Sequence, residues 1–190
     1  MIKKIVDGYY KAEKDAIKFI SNKRGKNRFE IPLYLASSSV CGMPGLYFYL
    51  THLAKKGELL IIDEPESHLS PSKQILMARL LAFCVNSGIK VLITTHSDYI
   101  IKEINNLIML HKDFEGKQEF LKKHKEYTKN YYLDRKSVKA YICEEGGLSP
   151  CDIDERGIKE MSVFDDAIDD INLVCGELNT YIDIETLEDD

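Results

Sequence analysis

The feature that most constrains this chain is a short apolar strand that ends in two carboxylates. The four aliphatic residues at 59–62 are followed at once by Asp63 and Glu64, and then by Pro65. A continuous apolar run of this length is typical of a strand buried on both faces of a parallel sheet. Acidic side chains at the carboxyl end of such a strand point into the crevice where α/β sheets bind ligands. The segment therefore predicts an α/β fold with a polar site at this strand end.

The residues that follow predict a parallel strand–helix–strand unit. Pro71 follows Ser70 as a proline in a first helical turn follows a cap, and an apolar stripe then extends over about seventeen residues. Asn86-Ser87-Gly88 ends this helix, and residues 89–95 supply a second apolar strand. Another helix begins at Asp98. Connections of this kind are right-handed and place the two strands side by side.

A histidine ends the second strand and brings an imidazole to the same crevice. Asp63 has the chemistry of a magnesium-associated acid, and Glu64 that of a residue that polarises an attacking water. His96 is then expected to contact a terminal phosphate. The alternatives are a pair of acids that caps the strand and an isolated surface histidine. The combination of the three residues at this spacing disfavours both.

The sequence contains no glycine-rich phosphate loop of the form Gly-x-x-x-x-Gly-Lys-Ser/Thr. Neither Gly25-Lys26 nor Gly116-Lys117 has a glycine five positions earlier or a hydroxyl residue next. A chain with the acidic strand but without this loop carries half of a nucleotide-hydrolysing site. We therefore expect the phosphate cradle to come from another segment or another chain.

Residues 30–110 resemble the C-terminal half of an ATP-binding-cassette-like ATPase head of the AAA-15/AAA-21 type. This family is related to the overcoming-lysogenization-defect and structural-maintenance-of-chromosomes ATPases. The resemblance implies a P-loop NTPase fold, here as a C-terminal lobe with a parallel sheet flanked by helices. It also implies ATP and Mg²⁺ as cofactors, Asp63 as the metal acid, Glu64 as the catalytic glutamate and His96 as the switch histidine. Such heads enclose nucleotide in a dimer, so the implied partner is a phosphate-loop-bearing half or a second copy.

The same resemblance assigns two serine-rich loops to nucleotide binding. Ser37, Ser38 and Ser39 stand in the place of the signature motif, with Ser37 as the serine that reaches a partner's γ-phosphate. Ser39 stands where glycine is usual, and a glycine would let the backbone approach the phosphate more closely. Ser70 replaces the aspartate or histidine of the dimer loop. From the residues alone, the alternative for 37–39 is a serine-rich helix cap.

The charge is distributed unevenly along the chain. Residues 1–110 carry 15 basic and 10 acidic side chains, residues 111–140 carry 9 and 5, and residues 141–190 carry 2 and 16. The acidic tail repels nucleic acid, and a solvated helical face explains the basic stretch better than a DNA contact does. DNA remains an alternative partner on family grounds.

Three regions are predicted from these signals: a peripheral lead-in hairpin over 1–29, the ATPase lobe over 30–110 and a charged α+β appendage over 111–190. Within the appendage we expect a strand at 138–143 and an amphipathic helix at about 163–178.

Composition favours a cytoplasmic globular protein. No apolar run approaches the ~20 residues of a membrane helix, and the first residues do not form a signal-peptide apolar region. The five cysteines have no C-x-x-C spacing, which disfavours both a disulfide framework and a zinc site. We expect reduced and mostly buried thiols.

Two other functions stay open. The first is a catalytically inactive head that binds a partner through the apolar surface its missing half would cover. The second is a Toprim-type nuclease, for which residues 141–146 supply a strand followed by glutamates. Such a domain needs an intervening βα unit before its paired aspartates, and Asp152 and Asp154 follow too closely for one.

Overall fold

A computed structural model describes residues 1–144, 146–159, 172–176 and 178 of the 190-residue chain. The described residues form two compact units. The first comprises residues 1–138 with 155–157, and the second comprises residues 139–154 and the described residues from 158 onward. No helix among these residues is long and apolar enough to cross a membrane.

Short strands and helices are interspersed along the chain. The strands are β1 (Gly8–Ala12), β2 (Ile17–Ser21), β3 (Glu30–Pro32), β4 (Leu59–Asp63), β5 (Lys90–Thr94), β6 (Tyr141–Glu144), β7 (Gly147–Pro150), β8 (Ile153–Asp154) and β9 (Gly157–Ile158). The helices are α1 (Ile2–Ile5), α2 (Ser38–Cys41), α3 (Pro44–Phe48), α4 (Pro71–Asn86), α5 (Asp98–Met109) and α6 (Lys117–Lys123). A π-helical turn continues α3 over Tyr49–Leu53. The helix predicted at 163–178 lies largely outside the described residues, of which 172–176 and 178 are helical.

The strand–helix–strand unit predicted from the sequence is confirmed. Strands β4 and β5 pair in parallel, with a register that runs from Leu59 opposite Lys90 to Asp63 opposite Thr94. Helix α4 begins directly after Ser70, with Pro71 as its first residue. Because the two strands are parallel and in register, their carboxyl ends lie at the same edge of the sheet. The chain is therefore an α/β protein with its candidate site at that edge.

The expectation that 59–62 is buried on both faces is wrong. Burial alternates along β4 and β5, and the side chains of Leu59, Ile61 and Leu92 are 56%, 64% and 54% exposed. The opposite face of each strand packs against the core. A run of aliphatic residues cannot by itself reveal one-sided exposure, because both faces of the strand are equally apolar.

The core extends into the segment that was predicted to be peripheral. This segment forms β1 and β2, an antiparallel pair that β3 extends to three strands. It contributes several buried side chains to the core: Ile2, Ile5, Val6, Tyr10, Phe19 and Ile20. The Tyr10 hydroxyl donates a hydrogen bond to the Val40 carbonyl at 2.5 Å, and burial raises the pKa of this phenol. The lead-in is thus packed as part of the first unit.

A buried ion pair joins helices α4 and α5. Arg79 Nε lies 2.5 Å from Glu103 Oε1, and both side chains are almost fully buried. The second carboxylate oxygen of Glu103 accepts hydrogen bonds from Asn106 at 3.1 Å and from the Tyr127 hydroxyl at 3.0 Å. The Arg79 guanidinium also stacks over the Tyr127 ring, 4.4 Å from its centroid. Every charge in this group has a partner, which is what burial of an ion pair requires.

The second unit contains an antiparallel hairpin of β6 and β7, with Tyr141 opposite Pro150. Ser149 donates a hydrogen bond to Glu144 Oε2 at 2.8 Å across this hairpin. An antiparallel hairpin is not the βα unit that a Toprim-type nuclease requires. Glu145, which was part of that alternative, lies outside the described residues.

The expectation of mostly buried thiols is also wrong. Of the five cysteines, Cys84 alone is buried, Cys151 is half-buried, and Cys41, Cys143 and Cys175 are exposed. Cys84 lies on the apolar face of α4, and burial raises its pKa to about 11.

Candidate functional site

The candidate site is built at the carboxyl ends of β4 and β5. Asp63 is the last residue of β4, and Thr94, the last residue of β5, is its register partner. The Thr94 hydroxyl donates a short hydrogen bond to Asp63 Oδ1. Asp63 lies on the exposed face of the sheet. The threonine therefore orients a carboxylate that stays accessible to a ligand.

Glu64 leaves the strand through an unusual backbone conformation. Its φ of 43° lies in the left-handed region, which costs free energy for a residue other than glycine. The Glu64 amide donates to both the carbonyl and the hydroxyl of Thr94, at 3.2 and 3.1 Å. These two bonds hold the chain in its turn. Strained residues of this kind cluster at functional sites.

The structure brings Glu64 and His96 together, as the sequence predicted. His96 Nε2 lies 3.4 Å from Glu64 Oε1, and Ser67 donates a hydrogen bond to Glu64 Oε2 at 3.1 Å. The His96 side chain is 85% exposed and that of Glu64 is 45% exposed. An accessible carboxylate beside an accessible imidazole can orient a water and contact an anionic group in the same crevice.

A third acid lies behind this pair and is buried. Glu66 is only 8% exposed, and its Oε1 accepts hydrogen bonds from the Thr95 hydroxyl at 2.6 Å and from the His96 amide at 2.8 Å. It therefore connects the loop after β4 to the loop after β5. No sequence motif indicated a role for Glu66, Thr94 or Thr95. A polar residue at the end of each paired strand was the available signal for Thr94, whereas nothing in the sequence indicates burial of Glu66.

The predicted serine loops make local hydrogen bonds at the starts of two helices. Ser37 caps the short helix α2, and its hydroxyl is 3.0 Å from that of Ser39, with Ser38 between them as the first helical residue. The Ser70 hydroxyl is 3.3 Å from that of Ser72 at the start of α4. Within the described part of the chain, no hydrogen bond or ion pair links these serine side chains to the strand-end group.

The donor set fits magnesium that is already bound to phosphates. No group of three or more His, Cys, Asp or Glu among the described residues is arranged to hold a metal ion by itself. Mg²⁺ in phosphate-transfer sites commonly uses one or two carboxylates and takes its other ligands from phosphate and water. The exposed carboxylate of Asp63, oriented by Thr94, is a donor of this kind.

A family model described as AAA ATPase domain, of the AAA-15 type, matches residues 1–101. The matched range includes the lead-in strands, the serine loop at 37–39, both strands of the parallel pair and the residues Asp63, Glu64 and His96. The chain belongs to the AAA ATPase domain family. This membership confirms the resemblance inferred from the sequence and gives the chain a general ATPase-type function. No significant match was found among curated proteins or among solved structures.

Proposed function

We propose that the chain supplies the acidic-strand half of an ATP-hydrolysing site and that a phosphate-loop-bearing segment or chain completes it. The observation that carries this proposal is the convergence of Asp63, Glu64 and His96 at one edge of the parallel sheet, with Glu64 and His96 3.4 Å apart. Family membership supports nucleotide chemistry. The chemistry of Asp63, Glu64 and His96 supports a separate role for each residue.

Each of the three residues has a distinct role in this proposal. Asp63 would hold magnesium, which when bound neutralises charge on the phosphates of ATP. Glu64 accepts a hydrogen bond from the attacking water and so directs its oxygen at the γ-phosphorus. The bond from that phosphorus to the bridging oxygen breaks, and ADP leaves. His96, exposed and next to Glu64, donates a hydrogen bond to the γ-phosphate.

The exposed face of the sheet supports completion by further polypeptide. Parallel sheets occur almost only with both faces covered, because their strands are apolar on both sides. Here Leu59, Ile61 and Leu92 form an apolar row on the open face. A segment that carries the phosphate loop would cover this row and bring the phosphates to Asp63. In a sandwich of two such heads, Ser37, Ser38, Ser39 and Ser70 are proposed to contact nucleotide across the dimer interface.

The test is ATP hydrolysis by the chain alone and by the chain joined to, or mixed with, a polypeptide that carries a phosphate loop of this family. We expect magnesium-dependent turnover in the completed protein only. Glu64→Gln should lower kcat by a factor of about 10²–10⁴, because it removes the charge that polarises the water. Glu58→Gln is the matched control. Glu58 precedes the amino end of β4, away from the carboxyl ends that form the candidate site, and it accepts hydrogen bonds from Tyr49 and the Lys55 amide. Equal turnover in both variants would refute the role of Glu64.

A second candidate function rests on the same exposed apolar row. A head that does not hydrolyse ATP would still bind a partner protein through Leu59, Ile61 and Leu92. The two functions separate experimentally. Under the binding-only proposal, the completed protein assembles but does not hydrolyse ATP, with either glutamate or glutamine at position 64. Under the ATPase proposal, Glu64→Gln abolishes turnover and leaves assembly intact.

A further inference from the structure

Glu66 is an acid in an unusual place for its type. Ionised side chains are rarely buried without a full set of partners, because losing water costs several kcal/mol. Glu66 is nonetheless 8% exposed, and its Oε2 is buried without a hydrogen-bond partner among the described residues. Only Oε1 is engaged, by the Thr95 hydroxyl and the His96 amide. An apolar residue of similar size would fill this space at lower cost if packing were its only role.

The contacts of Glu66 close a ring that joins three segments. Thr95 Oγ1 accepts a hydrogen bond from the Ser97 amide at 3.0 Å, and the Ser97 hydroxyl donates to Gln74 Oε1 at 2.6 Å. Gln74 donates in turn to the Leu69 carbonyl at 2.9 Å. The Leu69 amide then donates to the Glu66 carbonyl at 2.8 Å. The loop after β4, the loop after β5 and the first turns of α4 are therefore fixed to one another through side chains.

The position of His96 depends on this ring. Its imidazole is 85% exposed, and its Nε2 lies 3.4 Å from Glu64 Oε1, so burial does little to hold the side chain in place. The backbone amide of the same residue, in contrast, is held by the buried carboxylate of Glu66 at 2.8 Å. A hydrogen bond to a charged acceptor is stronger than one between neutral groups. The position of the His96 backbone therefore determines where its imidazole lies, and the hydrogen bond to Glu66 fixes that backbone.

We propose that Glu66 is a positioning residue that places His96 against Glu64 by fixing the loop after β5 to the loop after β4. The catalytic consequence rests on the proposed ATPase function, whereas the structural consequence does not. Glu66 itself touches no substrate in this proposal.

The structural consequence is measured in the chain as it exists, by amide hydrogen exchange with the ¹⁵N-labelled protein. Glu66→Ala removes the acceptor, and we expect the His96 amide to exchange about tenfold faster, as loss of one charge-assisted hydrogen bond implies. Glu66→Gln keeps an acceptor oxygen and should restore most of the protection. Glu64→Gln is the control and should leave the exchange of this amide unchanged. Equal exchange of the His96 amide in Glu66→Ala and the wild type overturns the proposal.

Thr95 provides a second route if Glu66→Ala does not fold. Thr95→Val removes the hydroxyl that bridges Glu66 and the Ser97 amide, and we expect faster exchange at His96. Thr95→Ser restores the hydroxyl and should restore the protection. Failure of Thr95→Val to alter exchange at His96 also overturns the proposal.

The catalytic consequence is measured in the completed ATPase. Glu66→Ala should lower kcat with little change in KM for ATP. The reason is that Glu66 does not touch the nucleotide and acts only by orienting His96. Glu66→Gln should recover part of the loss. A wild-type kcat in Glu66→Ala contradicts the proposal. If the completed wild-type protein shows no hydrolysis, the proposed function fails, and the hydrogen-exchange result alone decides the role of Glu66.

Discussion

Neighbouring residues on β4 offer a matched test of which sheet face is open. Ile61 lies on the exposed face, with 64% of its side chain accessible, whereas Ile62 packs against the core. Ile61→Lys should change the free energy of unfolding of the isolated chain by no more than about 0.5 kcal/mol, as for other surface substitutions. Ile62→Lys forces an unpaired charge into the core and should cost about 3 kcal/mol or more.

The assay is urea denaturation followed by circular dichroism, because the chain contains no tryptophan. The same Ile61→Lys variant should weaken association with the completing polypeptide. Full burial of an isoleucine side chain is worth about 1.5–3 kcal/mol, so covering the exposed 64% is worth roughly 1–2 kcal/mol. That corresponds to about a 5- to 30-fold increase in Kd before the cost of desolvating the lysine. Equal destabilisation of the isolated chain by both variants would refute the assignment of the two faces.

Two further predictions concern stability. Glu103→Ala should lower the free energy of unfolding by about 3–5 kcal/mol, because it leaves Arg79 buried without its counter-charge; Glu119→Ala, which removes one half of an exposed pair with Lys123, should cost less than about 1 kcal/mol. If urea denaturation gave similar losses of unfolding free energy for Glu103→Ala and Glu119→Ala, the stabilising role of the buried pair would be contradicted. The second prediction concerns Cys84, because burial raises the pKa of its thiol to about 11 from an ordinary value of 9.0. Between those pH values the unfolded thiol ionises and the folded one does not, so stability should fall more steeply with rising pH in the wild type than in Cys84→Ala. Parallel curves would show that the thiol is not protected by burial.

The sequence predicted the elements whose signals are local. The aliphatic run before Asp63 indicated β4, and the pair Ser70-Pro71 correctly located the start of α4. The position of His96 after the second strand followed from the parallel unit, and the structure brings it to Glu64 as expected. These predictions succeeded because strand ends, caps and apolar periodicity are encoded within a few residues of one another.

The features that were missed depend on contacts between distant residues. The apolar run at 59–62 was taken to be buried on both faces, but sequence cannot tell which face the rest of this chain covers. The Tyr10 ring packs against Phe19 and Tyr47, and its buried hydroxyl finds a partner in the carbonyl of Val40, thirty positions away. No sequence signal pointed to Glu66, and the donors that bind its buried carboxylate lie on the loop after β5. Whether such side chains are buried depends on tertiary packing and cannot be inferred from composition.

The most direct test of the central claim is the rate of ATP hydrolysis by the completed protein with glutamate or glutamine at position 64. If the strand-end group is catalytic, the wild type turns over ATP with magnesium. Glu64→Gln then retains nucleotide binding but loses at least about 10²-fold in kcat. Unchanged kcat in Glu64→Gln would contradict the assignment of Asp63, Glu64 and His96 as the hydrolytic half of the site.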